Sequence, residues 1–318
     1  MPTRPRRLMR FFAGTLPALA LFAFPLLASA ATSAPAADAH AWWLWSLGMF
    51  VVCFFMGIAA VPAGVGGGVL FVPIVGGFFP FHLDFVRGAG LLVAMASTLA
   101  AGPSLLRNGM ANLRLVMPLA LSASLSSMGG AMVGLALPAQ QVQILLGLAI
   151  LTIAALMLLS KKSEFPHVPS PDPLSRRLGI HGVFHDFISG REIPWHVHRT
   201  PAGIILFLGI GFLGGLLGVG AGWANVPGLN LMMGVPLKLA AASSSLILSV
   251  ASASATWYYL NSGAILPVIA VPSVIGMMMG ARIGAHLLTV LNPAVVRKAV
   301  IATLLFSGLR SLLKGLGY

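Results

Sequence analysis

The decapeptide GVGGGVLFVP at residues 64–73 returns later in the chain as GVGAGWANVP at residues 218–227. Each copy interrupts an apolar run with closely spaced glycines and reaches a Val-Pro pair after the same interval. The same offset of 154 residues pairs further positions: Gly57 with Gly211, Gly109 with Gly263, Pro118 with Pro272, Gly130 with Gly284 and Leu137 with Leu291. The chain therefore contains two related halves, and paired glycine-broken segments are typical of membrane carriers that hold a solute near the bilayer midplane.

The composition excludes a soluble domain. Hydrophobic residues make up 58% of the chain, charged residues only 8%, and the mean hydropathy is +0.96. Apolar stretches of about 20 residues are typical of transmembrane helices, so the chain is expected to have a lipid bilayer as a partner. The net charge of +13 comes from Lys and Arg at the ends of these stretches and in one loop. That distribution favours anchoring by cytoplasmic positive charge over binding to nucleic acid.

The first 30 residues form a separate segment. Four arginines within residues 4–10 precede an apolar run that ends in Ala28-Ser29-Ala30. This order is typical of a secretory signal peptide, and the length of the apolar run leaves an uncleaved signal anchor as the alternative. Either form places residues 31–40 outside.

Ten spans are predicted, which makes the fold class an all-α polytopic membrane protein. The first repeat (42–160) and the second repeat (202–315) contribute five each, and the second span of each repeat is short and broken by glycine. The expected ranges are 42–62, 64–80, 86–106, 115–136 and 141–159, then 202–217, 218–233, 239–259, 265–287 and 294–313.

An odd number of spans per repeat inverts the second repeat relative to the first. Equivalent loops support this, because Arg107 and Arg114 correspond to the uncharged Asn261 and Val268, and Asp84 corresponds to Lys238. Positive charge then alternates between sides, and the central loop, 161–201, falls in the cytoplasm. Three cations do not fit this pattern: Arg87, Arg310 and Lys314.

The central loop is predicted to carry a hairpin, since residues 183–186 and 192–198 alternate apolar and polar side chains around Ile188-Ser189-Gly190. Four histidines in the loop raise a metal site as an alternative to a simple folded cytoplasmic cap: His181, His185, His196 and His198. No cysteine joins them, and the favoured interpretation is the cap without metal.

The glycine breaks carry the predicted binding chemistry. A break frees backbone groups that lipid cannot satisfy, so they must line a protein-buried or watered cavity. It also creates a helix N-terminus, which favours an anion. The candidate residues are Gly66, Gly67 and Gly68 in the first half and Gly220 and Gly222 in the second. The alternative is close packing of helix backbones, which small residues permit.

The two decapeptides, the second extended as GVGAGWANVPGLNLMMGVPLKLAAASSSL, resemble the paired signatures of the TauE/SafE sulfite-exporter family of membrane permeases. The resemblance spans residues 45 to 315. The first half departs from it, with Ala89-Gly90-Leu91-Leu92 where the second half has Ser243-Ser244-Ser245-Leu246, and Ala221 replaces a glycine. The resemblance implies a substrate among sulfite, sulfonates and related organosulfur anions, and it implies an asymmetric site.

Polar side chains of the second half complete the candidate site. Asn225 replaces the repeat-related Phe71, and a buried amide requires partners, which a bound oxyanion or an interhelical hydrogen bond supplies. Ser244 and Ser245 offer hydroxyls to an oxyanion or satisfy them within their own helix. Ser97 and Thr98 present the same choice in the first half. No cofactor and no metal are expected.

The functional prediction is a permease of the inner membrane that exports a small sulfur-containing oxyanion by alternating access of its two halves. No carboxylate lies at mid-membrane depth to relay protons, and the membrane potential alone favours anion efflux. Proton-coupled uptake, with His82 or His286 as relay, and an anion channel are the alternatives. An enzyme is not expected, because no acid/base pair, metal cluster or positioned nucleophile lies at that depth.

Overall fold

A computed structural model describes residues 42–63, 67–107, 111–159, 170–186, 191–220, 222–287 and 293–317. The predicted signal segment at residues 1–30 and the candidate residue Gly66 lie outside the described residues. Helices dominate the described chain, which agrees with the predicted all-α class. The helices of the first half are α1 (Trp42–Ala63), α2 (Gly67–Phe78), α3 (Leu83–Arg107), α4 (Leu113–Ala136) and α5 (Ala139–Leu159).

The second half repeats this series after a short polar segment. That segment contains α6 (Pro173–Arg177) and the strands β1 (His181–Asp186) and β2 (Arg191–His196). The helices that follow are α7 (Thr200–Leu217), α8 (Gly222–Pro227), α9 (Leu237–Asn261), α10 (Pro267–Leu287) and α11 (Pro293–Gly315). Helices α4, α7 and α9 and residues Ala139–Leu156 of α5 are long and apolar enough to cross a membrane. Shorter apolar helical stretches occupy α1, α2 and α10. The protein is therefore a multi-pass membrane protein.

The second helix of each half is shorter than the sequence ranges suggested. Helix α8 begins only at Gly222, because Gly218 and Gly220 adopt positive φ angles of 71° and 68° that end the preceding helix. At Gly228 the chain passes into a π-helical turn that ends at Met232. Such turns are frequent at functional sites. Helix α2 begins at Gly67 and, like α8, contains the proline of its decapeptide.

Two helix pairs each join one helix of the first half to one helix of the second half. Helix α1 packs against α10, α4 packs against α7, and the repeat offset converts one pair into the other. A Cβ atom placed on Gly57 would lie 2.6 Å from the Met277 carbonyl oxygen, and one on Gly211 would overlap the Ala123 carbonyl oxygen. The offset relates Gly57 to Gly211 and Ala123 to Met277. Close glycine contacts of this kind are typical of membrane helix interfaces.

The repeat-related helices α3 and α9 pack against each other, and so do α5 and α11. Helix α3 also contacts α10, and α9 contacts α4, which is again one contact seen in each half. This arrangement places α3 and α9 where the halves meet, beside the two glycine breaks.

The polar segment before α7 is folded onto the ends of helices. Strands β1 and β2 pair antiparallel with His181 opposite His196, at the position where alternation of side chains predicted a hairpin. Ile180, Trp195 and Val197 are buried in one apolar cluster with Leu115 and Leu119 of α4. The segment therefore covers the end of the protein where α4 begins.

Asp172 joins this segment to α7. Its carboxylate accepts a hydrogen bond from the backbone N–H of Ser175 at 3.3 Å, which caps α6, and another from the Thr200 hydroxyl at 2.8 Å, at the start of α7. Partial burial alone would raise the pKa of Asp172, but the hydrogen bonds from Thr200 and Ser175 together lower that pKa below its ordinary value.

Candidate functional site

The glycine-rich decapeptides of the two halves approach each other closely at Gly68 and Val219. A Cβ atom placed on Gly68 would lie 2.8 Å from the Val219 carbonyl oxygen and 2.9 Å from that of Gly90 in α3. One on Gly90 would lie 2.7 Å from the Gly218 carbonyl oxygen. No side chain fits at these positions without displacing backbone, so the glycines are required for α2 and α3 to approach the break before α8.

Gly220 lies beside both α3 and α9. The nearest atoms to a Cβ placed on it would be Leu248 Cδ1 at 3.0 Å, Ala94 Cβ at 3.1 Å and Ser252 Oγ at 3.7 Å. The Ala94 methyl group also lies 2.9 Å from the Cβ position of Gly68. One small side chain of α3 therefore lies close to a glycine of each decapeptide.

The other two candidate glycines that the structure describes are Gly67 and Gly222. Gly67 faces Met277 of α10, with 2.9 Å between its Cβ position and the Met277 Sδ, which is a helix-packing contact. Gly222 is buried at the first position of α8.

Asn225 is fully buried on α8, and neither its Oδ1 nor its Nδ2 has a hydrogen-bond partner among the described residues. An interhelical hydrogen bond, the alternative that the sequence left open, is therefore absent for this side chain in the described part of the chain. Ala224, which precedes Asn225 in the chain, belongs to an apolar cluster with Ile210 of α7 and Leu248 of α9. An unsatisfied buried amide is costly, so a partner for Asn225 is expected from outside the described protein groups.

The serines of α9 differ in their hydrogen bonds. Ser245 donates to the Ala241 carbonyl oxygen at 3.2 Å, which satisfies its hydroxyl within its own helix. Ser244 is buried on the same helix. In the first half, Ser97 and Thr98 both donate to the Ala94 carbonyl oxygen, at 2.9 and 3.1 Å.

Three buried hydroxyls of α9 have no hydrogen-bond partner among the described residues: Ser243, Ser252 and Thr256. The sequence pattern did not single out Ser252 and Thr256 as candidates. Their spacing of four residues places them on one face of α9. That spacing was visible in the sequence, but the residues facing them were not.

Arg87 is a fully buried cation where the halves meet. Its Nη1 donates to the carbonyl oxygens of Gly134 at 3.0 Å and Leu216 at 2.9 Å, so it caps the last turns of α4 and α7. It also forms an ion pair with Asp84, one turn earlier in α3, and lies 5.8 Å from the ring centre of Tyr259. The sequence showed Arg87 only as a cation that does not fit the positive-inside pattern, and it did not indicate these carbonyl partners.

Comparison with known proteins identifies the family. The family described as "Sulfite exporter TauE/SafE" matches residues 49–311. The chain belongs to the TauE/SafE family. It is also similar to the "Probable membrane transporter protein YunE" of Bacillus subtilis (strain 168), with 24% identity over 248 residues, 74% of this chain and 87% of the relative. No solved structure matches significantly. The resemblance inferred from the decapeptides is confirmed, and the chain is a membrane transporter of the TauE/SafE type.

The other two cations that departed from the charge pattern of this TauE/SafE protein also contact protein groups. Lys314 donates to the Gly76 carbonyl oxygen at 3.1 Å, and the Arg310 guanidinium lies 4.2 Å from the ring centre of Phe78. Both contacts are at the C-terminal end of α2, where a cation is favoured by the helix dipole.

The alternative of a metal site in this TauE/SafE chain rested on the histidines of the polar segment. No group of three His, Cys, Asp or Glu side chains among the described residues is close enough to hold an ion. His181 and His196 are partners across the strand pair, and both side chains are exposed. His185 is opposite Glu192 in the same pairing.

Proposed function

We propose that this TauE/SafE transporter exports a small sulfur-containing oxyanion, sulfite or a sulfonate, across the inner membrane by alternating access of two inverted halves. The observation that carries the proposal is Asn225, a buried amide with no protein partner among the described residues. It lies three residues after the start of α8, immediately after the glycine break that contacts Gly68 of the other half.

The chemistry around the breaks favours an anion. The groups left without partners include the amide of Asn225 and the hydroxyls of Ser252 and Thr256, all of which donate hydrogen bonds. The described acidic residues lie elsewhere, in the first turn of α3 (Asp84) or in the polar segment (Asp172, Asp186 and Glu192). Unpartnered hydrogen-bond donors with no carboxylate beside them accommodate an oxyanion without charge repulsion.

The packing pattern supports inversion. Five helices per half form contacts that recur with the halves exchanged, and an odd number of spans per half requires opposite orientations. The three cations that departed from the positive-inside pattern are held by helix carbonyls or a ring. Their positions therefore reflect protein contacts and do not argue against a cytoplasmic central loop.

Efflux without a coupling ion follows from the charge of the substrate. A negative-inside potential contributes about 2.3 kcal/mol per charge per 100 mV to anion efflux.

One observation favours the second candidate, proton-coupled uptake. The His82 Nδ1 lies 3.3 Å from the carboxylate of Asp84, which in turn is paired with the buried Arg87, so a titratable pair contacts the region where the halves meet.

The test is anion flux in proteoliposomes, with sulfite, sulfate and a small sulfonate offered first under an imposed potential and then under a pH gradient. The proposal expects sulfite or sulfonate flux that follows the potential, and a loss of most of this flux in Asn225→Ala. Asn261→Ala is the matched control, because Asn261 is exposed and donates to the Trp257 carbonyl oxygen of its own helix at 3.0 Å. Flux that requires the pH gradient would instead support coupled uptake. Equal flux in the two variants would place the substrate elsewhere.

A further inference from the structure

Helix α9 carries four hydroxyl side chains on one face. They occur at intervals of four, three and four residues, and helical geometry places such positions on one face: Ser245, Ser249, Ser252 and Thr256. The first two donate to carbonyl oxygens of their own helix, Ser245 to Ala241 at 3.2 Å and Ser249 to Leu246 at 2.8 Å. The last two have no partner among the described residues although both oxygens are buried. Along this face, the first two hydroxyls are hydrogen-bonded within the helix, and the last two have no hydrogen-bond partner among the described residues.

The change occurs beside the second glycine break. Ser252 is 1% exposed, and its Oγ lies 3.7 Å from the position of a Cβ on Gly220, which has a φ of +68°. A serine within a helix ordinarily donates to a carbonyl three or four residues earlier, as Ser249 does. Ser252 does not make this bond, and its hydroxyl lies next to the break. This is the arrangement expected of a side chain whose partner is a ligand.

The repeat shows that the hydroxyl position recurs while its hydrogen bonding does not. The offset of 154 residues relates Ser252 to Thr98 of α3, the helix that packs against α9. The Thr98 hydroxyl donates to the carbonyl oxygens of Ala94 at 3.1 Å and Met95 at 2.9 Å. Thr256 corresponds to Gly102, which has no hydroxyl at all. At these two repeat-related positions, the unpartnered hydroxyls among the described residues therefore belong to the second half.

We propose that Ser252 and Thr256 form the hydroxyl side of an oxyanion subsite next to Gly220, and that they help to select the substrate of the transporter. This inference rests on the proposed function. Residues four apart on a helix have Cβ atoms about 6 Å apart, and two O–H···O bonds of about 2.7 Å from such positions reach neighbouring oxygens of one small anion. The chemical class is therefore an oxyanion with at least two unprotonated terminal oxygens, such as sulfite or a sulfonate.

The variant Ser252→Ala tests the assignment, with Ser249→Ala as its matched control. Both serines are buried on the same face of α9, and only the hydroxyl of Ser249 is satisfied within the helix. Initial rates of sulfite and sulfonate flux in proteoliposomes give KM and maximal rate separately. We expect the KM of Ser252→Ala to rise about tenfold or more, since hydrogen bonds to charged groups are the stronger class. The KM of Ser249→Ala should stay within about twofold of wild type, and Ser252→Thr, which keeps a hydroxyl, should recover most of the affinity.

A second variant keeps the test informative in case Ser252→Ala does not fold. Thr256→Val replaces a hydroxyl by a methyl group of similar size, and we expect it to raise the KM in the same direction. If both hydroxyl-deleting variants keep the wild-type KM, the subsite assignment is wrong while the proposed function stands. If the wild-type protein carries no sulfur oxyanion under any gradient, the proposed function itself is wrong and the subsite assignment goes with it.

Discussion

Removal of the buried charge Arg87 is the sharpest test of how the halves are held together. In Arg87→Met the side chain keeps much of its apolar volume but loses the guanidinium, which bonds Gly134 and Leu216 and pairs with Asp84. Breaking a buried pair by deleting one partner costs about 3–5 kcal/mol, because the other charge stays behind. Asp84 is 28% exposed, so water relieves part of its cost and the lower end of this range applies. The two carbonyl oxygens are also left without this donor at the ends of α4 and α7.

Thermal unfolding of the purified protein in detergent measures the effect, read as an apparent transition temperature because unfolding of such proteins is often irreversible. The unfolding entropy grows with chain length, so for 318 residues each kcal/mol shifts the transition by roughly 1.5–2 °C, and a loss of about 3 kcal/mol lowers it by about 4–6 °C. Arg87→Lys should fall between wild type and Arg87→Met, since one ammonium group does not reproduce the guanidinium fork. Arg177→Met, at an exposed position on α6, should change the transition by no more than about 1–2 °C. A transition for Arg87→Met that matches this control would refute the role assigned to Arg87.

Two further perturbations follow from the packing and the pH response. Gly130→Ala should lower the transition temperature, because its Cβ would overlap the Phe212 carbonyl oxygen and force α4 away from α7, at a cost of about 1–3 kcal/mol. The neighbouring Gly129→Ala is the control, since its Cβ would meet nothing within 4 Å, and equal transitions for both would contradict the close contact. Asp172→Ala should lower the transition at neutral pH by removing the bonds to Thr200 and α6. Because the pKa of Asp172 is lowered in the folded state, its contribution is full above the ordinary carboxyl pKa of about 3.9 and is lost as the pH falls through the lower folded value. The difference between wild type and variant should therefore be constant from about pH 8 to 5 and shrink below about pH 4, and a difference that grows on acidification would contradict the assignment.

The helical pattern was readable from the sequence because lipid imposes a simple rule on it. A span must be a long apolar helix, so the runs behind α4, α7 and α9 stand out by composition alone. The ends of α8 were harder to place. The predicted span at 218–233 includes Gly218 and Gly220, whose positive φ angles keep them out of the helix, and composition does not reveal backbone angles.

The candidate site was readable only in outline. In the second half the glycine pattern marked where α7 ends, at Gly218 and Gly220, and the amide of Asn225 stood out against the ring at Phe71. Which hydroxyls are free was not readable, because Ser245 and Ser252 are the same residue type on one helix face. Only their neighbours distinguish them: Ser245 bonds its own helix, whereas Ser252 faces Gly220 without a protein partner among the described residues.

The membrane environment, the repeated decapeptide and the break before α8 were indicated by the amino-acid order alone, because hydropathy and glycine content are properties of single residues and of their spacing. The tertiary structure decided that Gly68 meets Val219, that Arg87 caps helices α4 and α7, and that Ser252 lies beside Gly220. These contacts join residues more than 30 positions apart in the chain. Their energies depend on distance and burial, and only the folded arrangement of the helices sets those quantities.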